Sequence, residues 1–303
     1  MSHSFKYIGI ETTTQCNTKC VVCPRHTNYN HPYTSMSMSL FEEIICDIRD
    51  NHGVENHIQF GGMGDASVDK FLIDRLHFMK EEAPNLKVAL SSNMAAWKNS
   101  YTDILIQEQL AFQICFSILA YHKDSSEKIY GKEDHVVKAR SAIDYFMKKN
   151  KDAGSPIKIK VYTLSYENSD SDLEAIEERY WKGSDEFEVW KPHSWSNLLP
   201  DLRPVQSERR QCMSVEGLDQ PLIGINGDVI PCSMDINYTL SLGSMKDNTL
   251  EEIISGHKAE ELQKLNRNHK IETLSTCNGC VYLNADSSGV LIKSKTGNRG
   301  ISR

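Results

Sequence analysis

Long hydrophobic runs are missing from this 303-residue sequence, and no stretch approaches the roughly 18 uninterrupted apolar residues of a membrane-spanning helix. No membrane partner is therefore expected. An excess of basic charge is missing too. The 34 Lys and Arg stand against 41 Asp and Glu, a net charge of −7, so nucleic acid is not an expected partner. The opening residues, from Met1 to Tyr7, lack the apolar segment of a secretory signal, which points to the cytoplasm. Internal repeats and low-complexity tracts are absent. Cysteine is nearly absent from the middle of the chain. Of nine cysteines, Cys16, Cys20 and Cys23 fall near the start, and Cys212, Cys232, Cys277 and Cys280 in the last third, while Cys46 and Cys115 stand alone. An odd thiol count in a cytoplasmic chain argues against a disulfide framework and for metal ligands or catalytic thiols.

The first two-thirds of the chain alternates strand and helix patterns. Strands are expected at 5–10, 56–60, 86–91, 112–119, 157–163 and 186–191. Helices are expected at 39–50, 68–82, 101–109, 135–149 and 169–181. Six alternations predict an α/β fold, a partial (β/α)6 TIM-like barrel over residues 1–199, with its chemistry at the C-terminal ends of the strands. From Asn197 the texture changes: Pro200, Pro204 and the run beginning at Glu208 read as a linker into a small C-terminal α+β unit, residues 200–303. Within it, 222–232 reads as a hairpin turning at Asn226-Gly227. Thr249 and Glu252 have capping-box spacing for one helix running to Asn266. The Ser-, Gly- and Lys-rich tail after Tyr282 is expected to be less ordered.

Cys16, Cys20 and Cys23 lie on the loop after the first strand. Three thiolates on one short loop can hold three corners of a cubane iron–sulfur cluster and leave the fourth iron open to a small molecule. The alternative is a zinc loop that borrows His26 or His31. The segment from Ile10 to Arg25, with its Cys-x3-Cys-x2-Cys, resembles the radical S-adenosylmethionine (radical SAM) superfamily. The resemblance implies a 4Fe-4S cluster on the trio, whose open iron takes the amino and carboxylate groups of SAM. Reductive cleavage would then yield a 5′-deoxyadenosyl radical that abstracts a substrate hydrogen atom. By the same resemblance, Gly62, Met63, Gly64 and Asp65 form the glycine-rich segment at the SAM amino group, with Asp65 where glutamate is common. Ser92 and Asn93, ending the third strand, Ser117, ending the fourth, and Asn168, after the fifth, complete the expected SAM site. Each of these alone reads equally as a loop or cap residue.

Cys277 and Cys280 form a metal-ligand pair, with Cys212 and Cys232 as partners upstream. Four thiolates saturate a zinc ion or a 4Fe-4S cluster, and spacing does not choose between them. The run from Ile225 to Cys232, the segment from Leu242 to Ile253 and Cys277-Asn-Gly-Cys280 are similar to a SPASM or Twitch auxiliary-cluster domain. That resemblance implies one auxiliary 4Fe-4S cluster without an open iron. The layout is similar to the 2-deoxy-scyllo-inosamine dehydrogenase family of aminoglycoside biosynthesis. Implied with it are a small-molecule substrate, a flavodoxin or ferredoxin-type reductant, and oxidation of a secondary alcohol of a small polyol or amino-sugar, with the auxiliary cluster as electron acceptor. Radical epimerisation and modification of a ribosomal peptide are the alternatives, and an iron–sulfur carrier or zinc-binding module is the non-enzymatic one. Three residues are candidates for catalysis. Cys115 shares strand parity with Ser117 and is expected to face the interior as a hydrogen-atom donor, while Glu11 and His193 are expected to face the cavity.

Overall fold

A computed structural model describes residues 4–166, 170–196, 198–202, 211–278, 280, 283 and 291–296. Six strands run parallel and pair in sequence order: β1 (Ser4–Ile10), β2 (Gly53–Phe60), β3 (Val88–Ser92), β4 (Gln113–Ser117), β5 (Lys158–Leu164) and β6 (Glu186–Trp190). The connections carry α1 (Met38–Asn51), α2 (Leu72–Glu82), α3 (Asn99–Glu108), α4 (Lys123–Tyr130), α5 (His135–Asp152) and α6 (Asp170–Tyr180). The expected strands and helices are there to within a few residues. The short α4 was not expected, because its sequence, from Lys123 to Tyr130, carries only Ile129 and Tyr130 as large apolar residues.

Alternation along the strands fixes two faces. Ile58, Phe60, Leu90, Ile114, Phe116, Val161 and Phe187 are fully or almost fully buried in one apolar core that also takes up Phe41, Ile44 and Ile48 of α1 and Ile143 and Phe146 of α5. The opposite parity is largely polar. One row across the sheet reads Ser91, Cys115, Lys160, Glu186 in register. The apolar face glues helices to sheet, and the polar face is left for a ligand.

The C-terminal third continues the same sheet. After α7 (Met213–Gly217), β7 (Leu222–Ile223) pairs parallel with β1 and turns at Gly227, φ +92°, into antiparallel β8 (Asp228–Ile230) and then β9 (Gly243–Ser244). Thr249 caps α8 (Leu250–Ile254) with the expected capping box. The single helix expected beyond it is broken: Gly256 starts a second helix, α9 (His257–Arg267). The tail expected to be less ordered contributes β10 (Leu291–Ser294), antiparallel to β6 at the far edge of the ten-stranded sheet. Lys293 and Lys295 anchor that segment, on Glu177 and on the carbonyls of Trp181 and Ser184. Among the described residues no helix is long and apolar enough to cross a membrane.

Candidate functional site

A cavity of about 610 Å³ opens at the C-terminal ends of the parallel strands and extends down their polar face. Cys16, Cys20 and Cys23 lie at its upper end, on the loop after β1. That loop is held from below by backbone bonds: Thr14 N to Thr34 O at 2.9 Å, and Val21 N to Ile129 O at 3.0 Å. Buried Arg25 donates to the carbonyl of Thr18 at 2.9 Å and lies over the Tyr33 ring. Thr18 Oγ1 is 3.3 Å from both Cys16 Sγ and Cys20 Sγ, so one hydroxyl bridges two of the thiols. Burial pushes all three thiols up, Cys20 to about 12, and each feels the charge of a neighbour. As free thiolates they would be buried and mutually repelled, and a bound polynuclear cation would supply the compensating charge.

Below the thiols, the Gly62–Asp65 turn has two positions, Gly62 and Gly64, with no room for a side chain. A Cβ on Gly64 would come 2.2 Å from Thr13 O and 2.7 Å from Gln15 O, and Gly62 has φ +125°. Asp65 lines the cavity, yet its carboxylate is already engaged. Oδ1 accepts from Ser67 N, Ser67 Oγ and Ser92 Oγ, and Oδ2 from Asn93 N at 2.7 Å. Asp65 and Ser92 thus act as a brace between the β2 and β3 ends. Asn93 Nδ2 donates to Asn17 Oδ1 at 2.7 Å and lies 3.9 Å from Cys16 Sγ. Met63 and Ser117 line the cavity. Asn168 lies outside the described residues.

The three catalytic candidates separate. Cys115 lines the cavity, and burial holds its thiol protonated, pushed up to about 11. His193 lines the mouth, packed against Trp190 and Trp195. Glu11 does not face the cavity, a correction to the expectation from its place at the end of β1. It is 1% exposed, accepting from Met63 N at 2.7 Å, from Tyr29 OH at 3.3 Å and from Tyr238 OH. Burial raises its pKa. Its role here is to tie the Gly62–Asp65 turn to the C-terminal hairpin.

Several lining residues were passed over in the sequence: Tyr7, His57, Gln59, Gln113, Lys160, Tyr162, Glu188 and Trp190. The signal was available, since polar residues at every second position of buried parallel strands have no place in an ordinary core.

The second thiol group lies outside the cavity. Cys232 is half-buried, and its thiol is pushed well above its usual range, by desolvation first and then by the charges of Cys280 and Cys212, with Cys277 adding to them. Cys277 is pushed up to about 12, again chiefly by burial. Asn266, with no exposed surface, clamps Cys212 from both sides, accepting from its N–H at 2.7 Å and donating to its carbonyl at 3.1 Å. None of the nine cysteines is in a disulfide. Among the described residues no three or more His, Cys, Asp or Glu side chains converge tightly enough for a single metal ion.

Comparison with known proteins follows the same division. The SPASM family, an iron-sulfur cluster-binding domain, matches residues 212–281. The fold is similar to that of BtrN in complex with AdoMet and 2-DOIA: TM-score 0.65, 16% identity, covering 92% of this chain and 94% of that one. It is similar to anSMEcpe with bound AdoMet, at TM-score 0.64 and 16% identity over 90% and 88% of the two chains. It is also similar to Streptococcus suis SuiB bound to precursor peptide SuiA, at TM-score 0.65 and 13% identity over 87% and 67%. No curated protein matches the sequence. The chain resembles radical SAM enzymes that carry a SPASM-type domain.

Proposed function

We propose that this chain is a radical SAM enzyme that oxidises a secondary alcohol of a small polyol or amino-sugar. In this reading residues 1–199 are a partial barrel, supported by the consecutive order of β1 to β6, and residues 200–303 an auxiliary-cluster domain working in the cytoplasm with a flavodoxin- or ferredoxin-type reductant. Cys16, Cys20 and Cys23 would hold a SAM-binding 4Fe-4S cluster, and Cys212, Cys232, Cys277 and Cys280 the auxiliary one. Buried, mutually repelling thiols without disulfides fit such groups. When bound, the clusters and SAM supply a 5′-deoxyadenosyl radical and a sink for the substrate's remaining electron.

The protein's own part is positioning and exclusion of water. The Gly62–Asp65 turn, braced by Glu11 and Ser92, presents backbone groups beside the trio. Trp190, His193 and Trp195 wall the mouth. The observation that carries the reading is the cavity itself: about 610 Å³, running from the thiol trio to a polar floor, a size for a small hydrophilic molecule. A second reading, epimerisation, is favoured by one feature, the protonated Cys115 thiol on the cavity wall, which could return a hydrogen atom to a substrate carbon.

The test is an anaerobically reconstituted, dithionite-reduced enzyme given SAM and polyols or amino-polyols deuterated at the carbinol carbon. Deuterium in 5′-deoxyadenosine together with a ketone product is the expected result. An alcohol product carrying hydrogen from solvent would replace oxidation with epimerisation, and 5′-deoxyadenosine without label from any polyol would remove this substrate class.

A further inference from the structure

The wall of the cavity belongs almost wholly to the first two-thirds of the chain. Among the described residues that line it, Met234 alone comes from beyond residue 200, and it is 8% exposed. It stands two positions after Cys232, a quartet thiol that does not itself line the cavity. The Met234 backbone N–H donates to Cys232 Sγ. Its carbonyl accepts from Ser196 Oγ at 3.1 Å, beside Trp195 of the cavity mouth. A side chain on the cavity wall is thus one residue and one hydrogen bond away from the quartet. The loop that carries it is fixed at every step. Cys232 O accepts from Asp235 N at 3.1 Å and closes a turn around Met234. The buried Asp235 carboxylate accepts from Thr239 N at 3.1 Å, Thr239 Oγ1 at 2.9 Å and Leu240 N at 2.7 Å. Asn237 grips the segment after the trio from both sides, donating to Asn28 O at 2.8 Å and accepting from Asn30 N at 2.9 Å. Tyr238 OH donates to Glu11, the acceptor of Met63 N. The seven residues from Cys232 to Tyr238 therefore touch the quartet, the cavity, the trio's loop and the Gly62–Asp65 turn.

The potential of an iron–sulfur group depends on the hydrogen bonds its sulfurs accept and on the water that reaches it. Met234 bears on both at Cys232. We infer that Met234 is the positioning residue through which the cavity communicates with the quartet: its apolar side chain keeps cavity water from Cys232, its N–H holds that sulfur, and together they set the potential at which a cluster on the quartet accepts an electron from the cavity. This rests on the function proposed above and names the place where its electron leaves. In that oxidation the carbinol carbon gives its hydrogen atom to the 5′-deoxyadenosyl radical. The substrate radical left behind becomes a ketone by losing its O–H proton to solvent and one electron to the quartet's cluster, which is reduced by one electron. Thioether sulfur is soft and the methionine side chain unbranched, so the wall can follow the shape of what lies against it without breaking the backbone bond.

The test is a potentiometric titration of the reconstituted enzyme followed by electron paramagnetic resonance, with Cys16→Ala marking which signal belongs to the quartet. Met234→Ser keeps the N–H and admits water beside Cys232. It is expected to raise the quartet's midpoint potential by about 59 mV, a tenfold shift of a one-electron equilibrium, because water stabilises the more negative reduced form. Met234→Gln, closer in size, carries the same expectation and guards against a folding defect in the serine variant. Met234→Leu, which keeps both the N–H and an apolar side chain, should leave the potential where it was. So should Leu119→Ser, a matched change on the cavity wall in the apolar cluster by the trio. A potential unmoved in both polar variants, an equal shift from Leu119→Ser, or a quartet with no reducible cluster overturns the inference. Formation of 5′-deoxyadenosine by the wild-type protein in the same preparation separates the two proposals. If it forms and the potential ignores Met234, only the Met234 assignment fails. If it does not form while the potential responds, the radical SAM reading fails and the link between cavity and quartet stands.

Discussion

The two thiol groups are built in opposite ways. Cys16, Cys20 and Cys23 come from a single turn of eight residues, and their support is local: Thr18 between the sulfurs, Arg25 beneath, and a small apolar cluster of Val22, Leu119, Ile129, Tyr130 and Val136 set apart from the main core. Cys212, Cys232, Cys277 and Cys280 are spread over 69 residues of sequence and are brought together only by folding, with Cys277 and Cys280 in the main core itself. The trio faces the cavity; the quartet does not. Three ligands in a wall with access suit a group that must meet another molecule. Four thiols away from the cavity, two of them in the core, would suit one that must not.

This contrast can be broken most severely at the trio. Cys16→Ala should cut the iron of the reconstituted protein from about eight atoms to about four, one cubane, counted by a colorimetric iron assay. The quartet's share should remain. Gly64→Ala follows, because its Cβ would meet the Thr13 carbonyl at 2.2 Å and backbone has little room to yield. A loss of about 1–3 kcal/mol in denaturant unfolding is expected, together with SAM binding weakened at least about tenfold in equilibrium dialysis. On the other side, Asn266→Ala removes both bonds to Cys212 and should cost about 1–3 kcal/mol. Auxiliary iron should fall while SAM is still cleaved.

The smallest effect sharpens the comparison by pH. His135, buried and stacked on Tyr130 at 3.7 Å, has its pKa lowered from the usual 6.5 to about 4, chiefly by burial. The folded state therefore holds it neutral while the unfolded chain takes up a proton, so its contribution to stability is present above pH 6.5 and is lost as pH falls toward 4. Because Tyr130 belongs to the cluster under the trio, acidification through that window should lower the melting temperature, and less so in His135→Phe. Iron should leave the trio before the quartet.

Much of this was legible in the sequence where one local pattern sufficed. The six parallel strands followed from alternation, and the Asn226-Gly227 hairpin and the Thr249 capping box from turn and cap chemistry. What escaped depended on partners distant in the chain. Glu11 was placed at the strand end, but its orientation is decided by Met63, Tyr29 and Tyr238, the last 227 positions away. That Asp65 and Ser92 engage each other was not visible either, because nothing local shows it. The helix expected through Gly256 broke because that glycine is the N-cap of α9, with extended backbone. The polar floor was overlooked for a simpler reason: each of its residues is unremarked alone, and only strand register lines them up.

The central claim is that the trio, not the quartet, carries SAM cleavage. It is tested most directly by measuring 5′-deoxyadenosine from dithionite-reduced, anaerobically reconstituted Cys16→Ala and Cys280→Ala proteins beside wild type. Product from wild type and Cys280→Ala, with none from Cys16→Ala, is the predicted result. Product surviving Cys16→Ala, or zinc with no product in wild type, would contradict it.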